Sequence, residues 1–287
     1  MIHSKDKPKL GVALSGGGAR GLAHIGVLKA LSSAGIQIDF LAGASMGGVI
    51  ATSYAAGFPP SKIEEIACYV CTISNLARLA DPALPLKGIF KGNKIHNFFD
   101  EQLNGMTFDD LQIPLEVTAV DMNSYKEIHI SKGSVAEALR ATISIPGIFI
   151  PVERDGMRLV DGGLLNNLPV DVVREMGADV IVAVDVGWHG NGKEQLRESK
   201  QKLISRTPLG DMALTLYETI DLFLTQQVNH KIQSLKPDFL LQPQIPSQIT
   251  SLTGFTHAAE LIAIGEETTQ PELEDISLSL QSFSAKT

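Results

Sequence analysis

The sequence predicts an α/β protein of three layers, α/β/α, with a mostly parallel central sheet. Short apolar, β-branched runs alternate along the chain with stretches of helical periodicity, the pattern of strands covered by helices on both faces. Two glycine-rich turns stand between a strand pattern and a helix pattern. No internal repeat and no Pro/Gly/Ser linker divides the chain.

Lys9-Leu-Gly-Val-Ala-Leu14 reads as a buried strand feeding a tight turn. From Ala19 to Ala34, apolar residues recur at Leu22, Ile25, Leu28 and Leu31, which predicts a helix with Gly35 just past its end. Ile38–Ala42 is a second strand, followed by a small-residue helix that Gly57 and Pro59-Pro60 stop. Ser61-x-x-Glu64 has the spacing of a capping box for the next helix. Residues from Asn75 to Leu111 lack a clean period and predict an irregular, lid-like segment with one helix near Asn93–Leu103. Leu115–Val120 and Glu127–Ile130 read as paired strands, and Ser134-x-x-Glu137 as a second capping box. Pro146 must end the helix it opens.

Asp179–Asp185 is the most β-branched run, with a loop expected at Trp188–Lys193. Leu209–Ile232 predicts a long amphipathic helix, Phe239–Leu241 an edge strand, and the polar tail after Gln270 a disordered end. The chain thus reads as one unit over 8–195, with a mainly helical extension over 196–287 packed on it.

Composition narrows the function classes. Against 24 Lys plus Arg stand 32 Asp plus Glu, a net charge of −8 with no clustered basic run. That argues against sequence-independent nucleic-acid binding and against docking on an acidic membrane by charge alone. Cys68 and Cys71 form a C-x-x-C pair, but they fall on one apolar helical face with no second pair. Buried thiols are the expectation, not a redox or zinc site. No run approaches the ~18 apolar residues of a membrane span. The polar start at Met1–Lys9 has no apolar core of a secretory signal. A cytoplasmic protein is expected, with peripheral contact at the inner face of a membrane left open.

Three motifs carry chemistry. Gly16-Gly-Gly-Ala-Arg-Gly21 matches G-x-G-x-x-G through Gly16, Gly18 and Gly21, so a dinucleotide turn must be weighed. The expected ribose-binding acid is badly placed, since Asp39 precedes or begins the strand Phe40–Ala42, the wrong end, and no Gly-Lys-Ser/Thr closes a phosphate loop. What remains is a turn whose N–H groups can converge on a phosphate or a transient oxyanion. Gly43-Ala-Ser45-Met-Gly47 is G-x-S-x-G, where glycines permit a sharp turn that lifts the serine out of the sheet. The Met46 N–H that follows can help hold an oxyanion. Leu159-Val-Asp161-Gly-Gly163 ends an apolar strand with an acid, either a plain turn or a catalytic carboxylate. A Ser–His–Asp triad in that order needs a later histidine, and of His189, His230 and His257 only His189 falls on a loop. His24 is expected to be satisfied locally.

These motifs in this order, with Ser144-Ile-Pro-Gly-Ile-Phe-Ile-Pro151 before the last, resemble the bacterial patatin-like phospholipases over about residues 9 to 190. The resemblance implies a patatin-like fold and a serine acyl hydrolase cleaving carboxylic esters of phospholipids or lysophospholipids. It implies an acyl-enzyme on Ser45 with Asp161 as general base, in a dyad without histidine. Gly16, Gly17, Gly18 and Arg20 then correspond to the oxyanion-hole segment, Gly43 and Gly47 to the elbow, and Gly162 and Gly163 to the motif glycines. The partner implied is a lipid ester, with no cofactor, no metal and no nucleic acid; oligomeric state does not follow. Two alternatives stand beside it: a Ser–His–Asp carboxylesterase, and a nucleotide-binding module using Gly16–Gly21. Bulkier residues at Gly17 or Gly18 are expected to leave folding intact and depress turnover.

Overall fold

The computed structural model describes residues 7–83, 89–187 and 208–282, with the side chains of 208–218 and 282 excluded. Its strands are β1 (Leu10–Leu14), β2 (Phe40–Gly43), β3 (Leu115–Asp121), β4 (Lys126–Ile130), β5 (Val152–Arg154), β6 (Met157–Asp161), β7 (Val180–Val184) and β8 (Phe239–Leu241). Its helices are α1 (Ala23–Ser33), α2 (Ser45–Ala55), α3 (Pro60–Val70), α4 (Ile73–Leu79), α5 (Asn93–Gln102) and α6 (Val135–Thr142). They continue with α7 (Gly163–Asn166), α8 (Val170–Glu175), α9 (Pro208–Leu235), α10 (Ala258–Thr269) and α11 (Leu273–Ser282).

The eight strands form one sheet in the order β5-β6-β3-β2-β1-β7-β8, with β4 also on β3. From β8 to β3 all pairings are parallel; β4, β6 and β5 are antiparallel additions at one side. Period-2 alternation divides the core. Leu10, Val12, Leu14, Leu41, Val182 and Val184 face one way, packed with residues of α1, α2, α6 and α10. Ala13, Ala42, Ile181 and Ala183 face the other, packed with Val170, Val172 and Val173 of α8 and Val228 of α9. Much of this second face is built of small residues, and α8 lies close upon it: a Cβ on Gly11 would sit 3.0 Å from the Val173 Cβ. The expected three layers follow from that division.

Several local expectations change. The Ser61 capping box does not form, because Pro60 already occupies the first helical position behind Pro59. Glu64 instead meets Lys29 Nζ of α1 at 3.1 Å. Ser134 does cap α6, accepting the Glu137 N–H at 3.3 Å. The segment expected to be irregular also contains α4, and Asp81 accepts the Gly92 and Asn93 N–H groups, each at 2.7 Å, ahead of α5. The tail after Gln270 is ordered as α11, whose Ile276 and Leu280 enter the main core. Cys68 and Cys71 lie at the C-terminal end of α3, and burial raises both thiols, Cys71 to about 11. The loop expected at Trp188–Lys193 lies outside the described residues.

Candidate active site

Strand β3 brings the serine and the acid together. Val117 pairs with both Gly43 of β2 and Ile130 of β4, and Ala119 with both Asp161 of β6 and Ile128 of β4. Strand β4 therefore follows one edge of β3, while β2 and β6 share the other edge in succession. They run in opposite directions, so their C-terminal ends meet head to head across Thr118. Gly162 makes this close junction possible: a Cβ there would lie 2.2 Å from Thr118 Oγ1. Ser45 follows the end of β2, and Asp161 is the last residue of β6.

Ser45 occupies left-handed backbone space at φ 51°, which costs a non-glycine residue about 1–2 kcal/mol. The surrounding turn enforces it. A Cβ on Gly43 would sit 2.6 Å from the Gly47 carbonyl, and one on Gly47 would sit 2.3 Å from the Leu14 carbonyl oxygen. The Ser45 N–H donates to Thr142 Oγ1 at 2.8 Å. Helix α2 begins here, and among the described residues the Met46 N–H has no acceptor.

Asp161 is 6% exposed and Ser45 7%. The carboxylate Oδ1 accepts the Gly163 N–H at 2.8 Å, while buried Oδ2 has no hydrogen-bond partner among the described residues. Burial pushes the carboxyl up to about 6, against the pull of the Ser45 hydroxyl and the Gly163 N–H, which favour its charged form. The Ser45 hydroxyl is thus close enough to the carboxyl to favour its charged form. A carboxyl poised near neutrality beside a strained hydroxyl can take up and return a proton.

The glycine loop lies opposite. The Gly16 N–H donates to the Asn167 carbonyl at 3.0 Å and the Arg20 N–H to the Gly17 carbonyl at 3.1 Å. Arg20 Nε donates to the Ile249 carbonyl at 3.2 Å. The Gly16 N–H, the Arg20 N–H and Arg20 Nε are thus engaged in the scaffold. The Gly17 and Gly18 N–H groups have no acceptor among the described residues. Gly18, at φ +53°, faces a neighbour that forbids a side chain: its Cβ would fall 2.2 Å from the Ser251 carbonyl oxygen. A bulkier residue there breaks the local fold, contrary to expectation; at Gly17 it meets only the Val186 side chain, at 2.6 Å.

His24 is fully buried, with Nε2 2.8 Å from the Ser15 carbonyl, and desolvation lowers its pKa to about 4. It is a neutral residue that ties α1 to the glycine loop. Of the described histidines, none bonds Ser45 or Asp161; His189 lies outside the described residues. Asp39 accepts the Leu10 N–H at 2.8 Å, at the opposite end of the strands from the glycine loop, so it cannot serve a nucleotide there. A cavity of about 300 Å³ lined by Phe108, Leu111, Pro114 and Leu115 sits at the start of β3, also at that far end. Asn167, missed in the sequence, lies against both loops; the Asn166-Asn167-x-Pro169 run after Asp161 was the available signal.

Fold and elbow together place the chain among the three-layer α/β proteins that present a serine at a strand-to-helix turn. The sequence profile of the Patatin-like phospholipase family matches residues 12–174, and the chain belongs to that family. It is 35% identical over 195 residues to an uncharacterised NTE family protein of Mycobacterium tuberculosis, covering 67% of this chain and 52% of that one. Patatin-like phospholipase domain-containing protein 6 of Homo sapiens is 35% identical over 187 residues, 62% of this chain and 13% of that protein. The chain thus spans about half the length, or less, of these relatives. The crystal structure of VipD from Legionella pneumophila shares the fold, with a TM-score of 0.52 at 16% identity over 95% of this chain and 68% of that one.

Proposed function

We propose that this chain is a serine acyl hydrolase acting on lipid carboxylic esters through a Ser45–Asp161 dyad. The observation that carries the proposal is the buried Asp161 carboxyl beside Ser45, raised to about 6 and with Oδ2 unpartnered among the described residues, at the junction of β2 and β6. Asp161 takes the hydroxyl proton as Ser45 Oγ attacks the ester carbonyl. The oxyanion is received by the Gly17 and Gly18 N–H groups of the glycine loop and the Met46 N–H at the start of α2. As the tetrahedral intermediate collapses, Asp161 returns the proton to the leaving alkoxide and the acyl group stays on Ser45. Water, deprotonated by Asp161, then releases the fatty acid and restores the hydroxyl.

Membership of the patatin-like phospholipase family supports a phospholipid or lysophospholipid as the ester. Contact with a lipid surface through the segment around α4 is supported by the exposed Ile73 and Ile89. No helix among the described residues is long and apolar enough to cross a membrane. The test is a fluorophosphonate probe, with lipid-extract incubation followed by mass spectrometry of products. Wild type should be labelled at Ser45 and release fatty acid, and Ser45→Ala should do neither. An unlabelled, folded wild type that leaves lipid esters intact refutes the proposal.

A further inference from the structure

Asn167 stands between the two loops of the site and touches both. Its carbonyl accepts the Gly16 N–H at 3.0 Å, and its Nδ2 approaches the Gly16 carbonyl at 3.4 Å. Its Oδ1 lies where only glycines leave room: a Cβ on Gly16 would be 2.4 Å from it, and one on Gly163 2.6 Å. Gly163 in turn donates to Asp161 Oδ1, and a Cβ on Gly16 would be 3.1 Å from the Ser45 Cβ. The amide therefore wedges the acid loop against the glycine loop beside the nucleophile.

Asn167 is itself held from α9. Gln227 Oε1 accepts the Asn167 N–H at 3.1 Å, and Gln227 Nε2 donates to the Leu164 carbonyl at 3.1 Å. One side-chain amide thus grips the turn after Asp161 at two points. Gln227 lies outside the 12–174 stretch matched to the family. It is also half-buried, so its loss opens no large cavity.

We infer that Asn167 and Gln227 are positioning residues for the acyl transfer: Gln227 fixes the turn that follows Asp161, and Asn167 carries that position to Gly16. The pair thereby sets where the Gly17 and Gly18 N–H groups stand relative to Ser45. With Ser45 as the nucleophile, as proposed above, the purpose is plain, because a misplacement of about 1 Å can cost on the order of a hundredfold in rate. On this inference both act through the two loops rather than on the ester. The loss should therefore fall on kcat and spare KM.

The test uses the full chain and a short-chain p-nitrophenyl ester, so that lipid docking plays no part. Gln227→Ala, Gln227→Glu and Asn167→Ala are compared by kcat, KM, thermal midpoint and amide hydrogen exchange. Gln227→Ala should lower kcat about tenfold or more with KM within about twofold. Gln227→Glu keeps the acceptor for the Asn167 N–H but turns a carboxylate oxygen toward the Leu164 carbonyl, so it should recover only part of that rate. In Gln227→Ala and Asn167→Ala, exchange at the Gly16 N–H should accelerate while α1 stays protected. Wild-type kcat in folded Gln227→Ala overturns the inference, and so does exchange that accelerates equally through α1. An inactive wild type would sink the acyl-hydrolase reading instead. The Gly16 exchange rate then decides alone, and no change in it overturns the clamp.

Discussion

Replacing Asp161 by Asn should stabilise the protein while abolishing its chemistry. The carboxyl titrates at about 6 in the folded chain and near 3.8 when exposed, because burial penalises its charge. At about 1.4 kcal/mol per pH unit, that gap amounts to about 3 kcal/mol. The sign follows from proton counting. Between pH 4 and 6 the folded state holds more proton at this site than the unfolded state, so wild-type stability falls as pH rises through that window. Above 6 the penalty is complete. Asn keeps the shape, and its Oδ1 can still accept the Gly163 N–H, but it carries no charge to desolvate. His24 titrates in an overlapping window with opposite sign, since burial lowers it from 6.5 to about 4. The difference between the two proteins, in which His24 cancels, is therefore the quantity to measure. Urea unfolding at pH 8 should show Asp161→Asn more stable by about 3 kcal/mol at unchanged m, equivalent to a melting rise on the order of 5–10 °C. At pH 4 the gain should shrink to about 0.6 kcal/mol. No gain at pH 8, or a gain that persists at pH 4, would refute the claim that burial strains this carboxylate.

The same titration governs rate: kcat/KM on a soluble ester should fall about tenfold per pH unit below 6, reporting one base. A profile flat from pH 5 to 8 would exclude Asp161 as that base. Ser45→Gly should relieve the φ 51° strain and raise stability by about 1 kcal/mol while fluorophosphonate labelling disappears, a pairing that calorimetry and the probe check together. Gly47→Ala places a Cβ 2.3 Å from the Leu14 carbonyl oxygen and should cost about 2 kcal/mol or more in denaturant unfolding.

The sheet was legible because its strands obey simple periods. β1, β2, β6 and β7 are apolar runs closed by turn residues, and Gly35 ends α1 in the left-handed conformation expected of it. Ser45 and Asp161 were legible as turn residues at strand ends, but their meeting followed only from the family resemblance and not from any period. That depends on β2 and β6 sharing one edge of β3, a non-local pairing with no sequence period. The duties of Gly16 and Arg20 were hidden for a related reason. Their partners, Asn167 and Ile249, are far along the chain, and only the folded state shows which N–H groups remain unclaimed. The ordered tail was misread because a sparse apolar stripe, Ile276 and Leu280, looks polar in composition yet suffices to seat a helix on an existing core.

Strand β3 carries neither the serine nor the acid, yet it measures the gap between them. The long stretch of chain from Gly43 to Asp161 can gain or lose residues in its connections without moving the pair, because both ends are registered against Val117 and Ala119. An insertion within β3 itself is different. Each added residue lengthens the strand by about 3.3 Å and turns the next side chain to the opposite face. Those connections are thus free to diverge, while the serine and the acid are tied to one short rod.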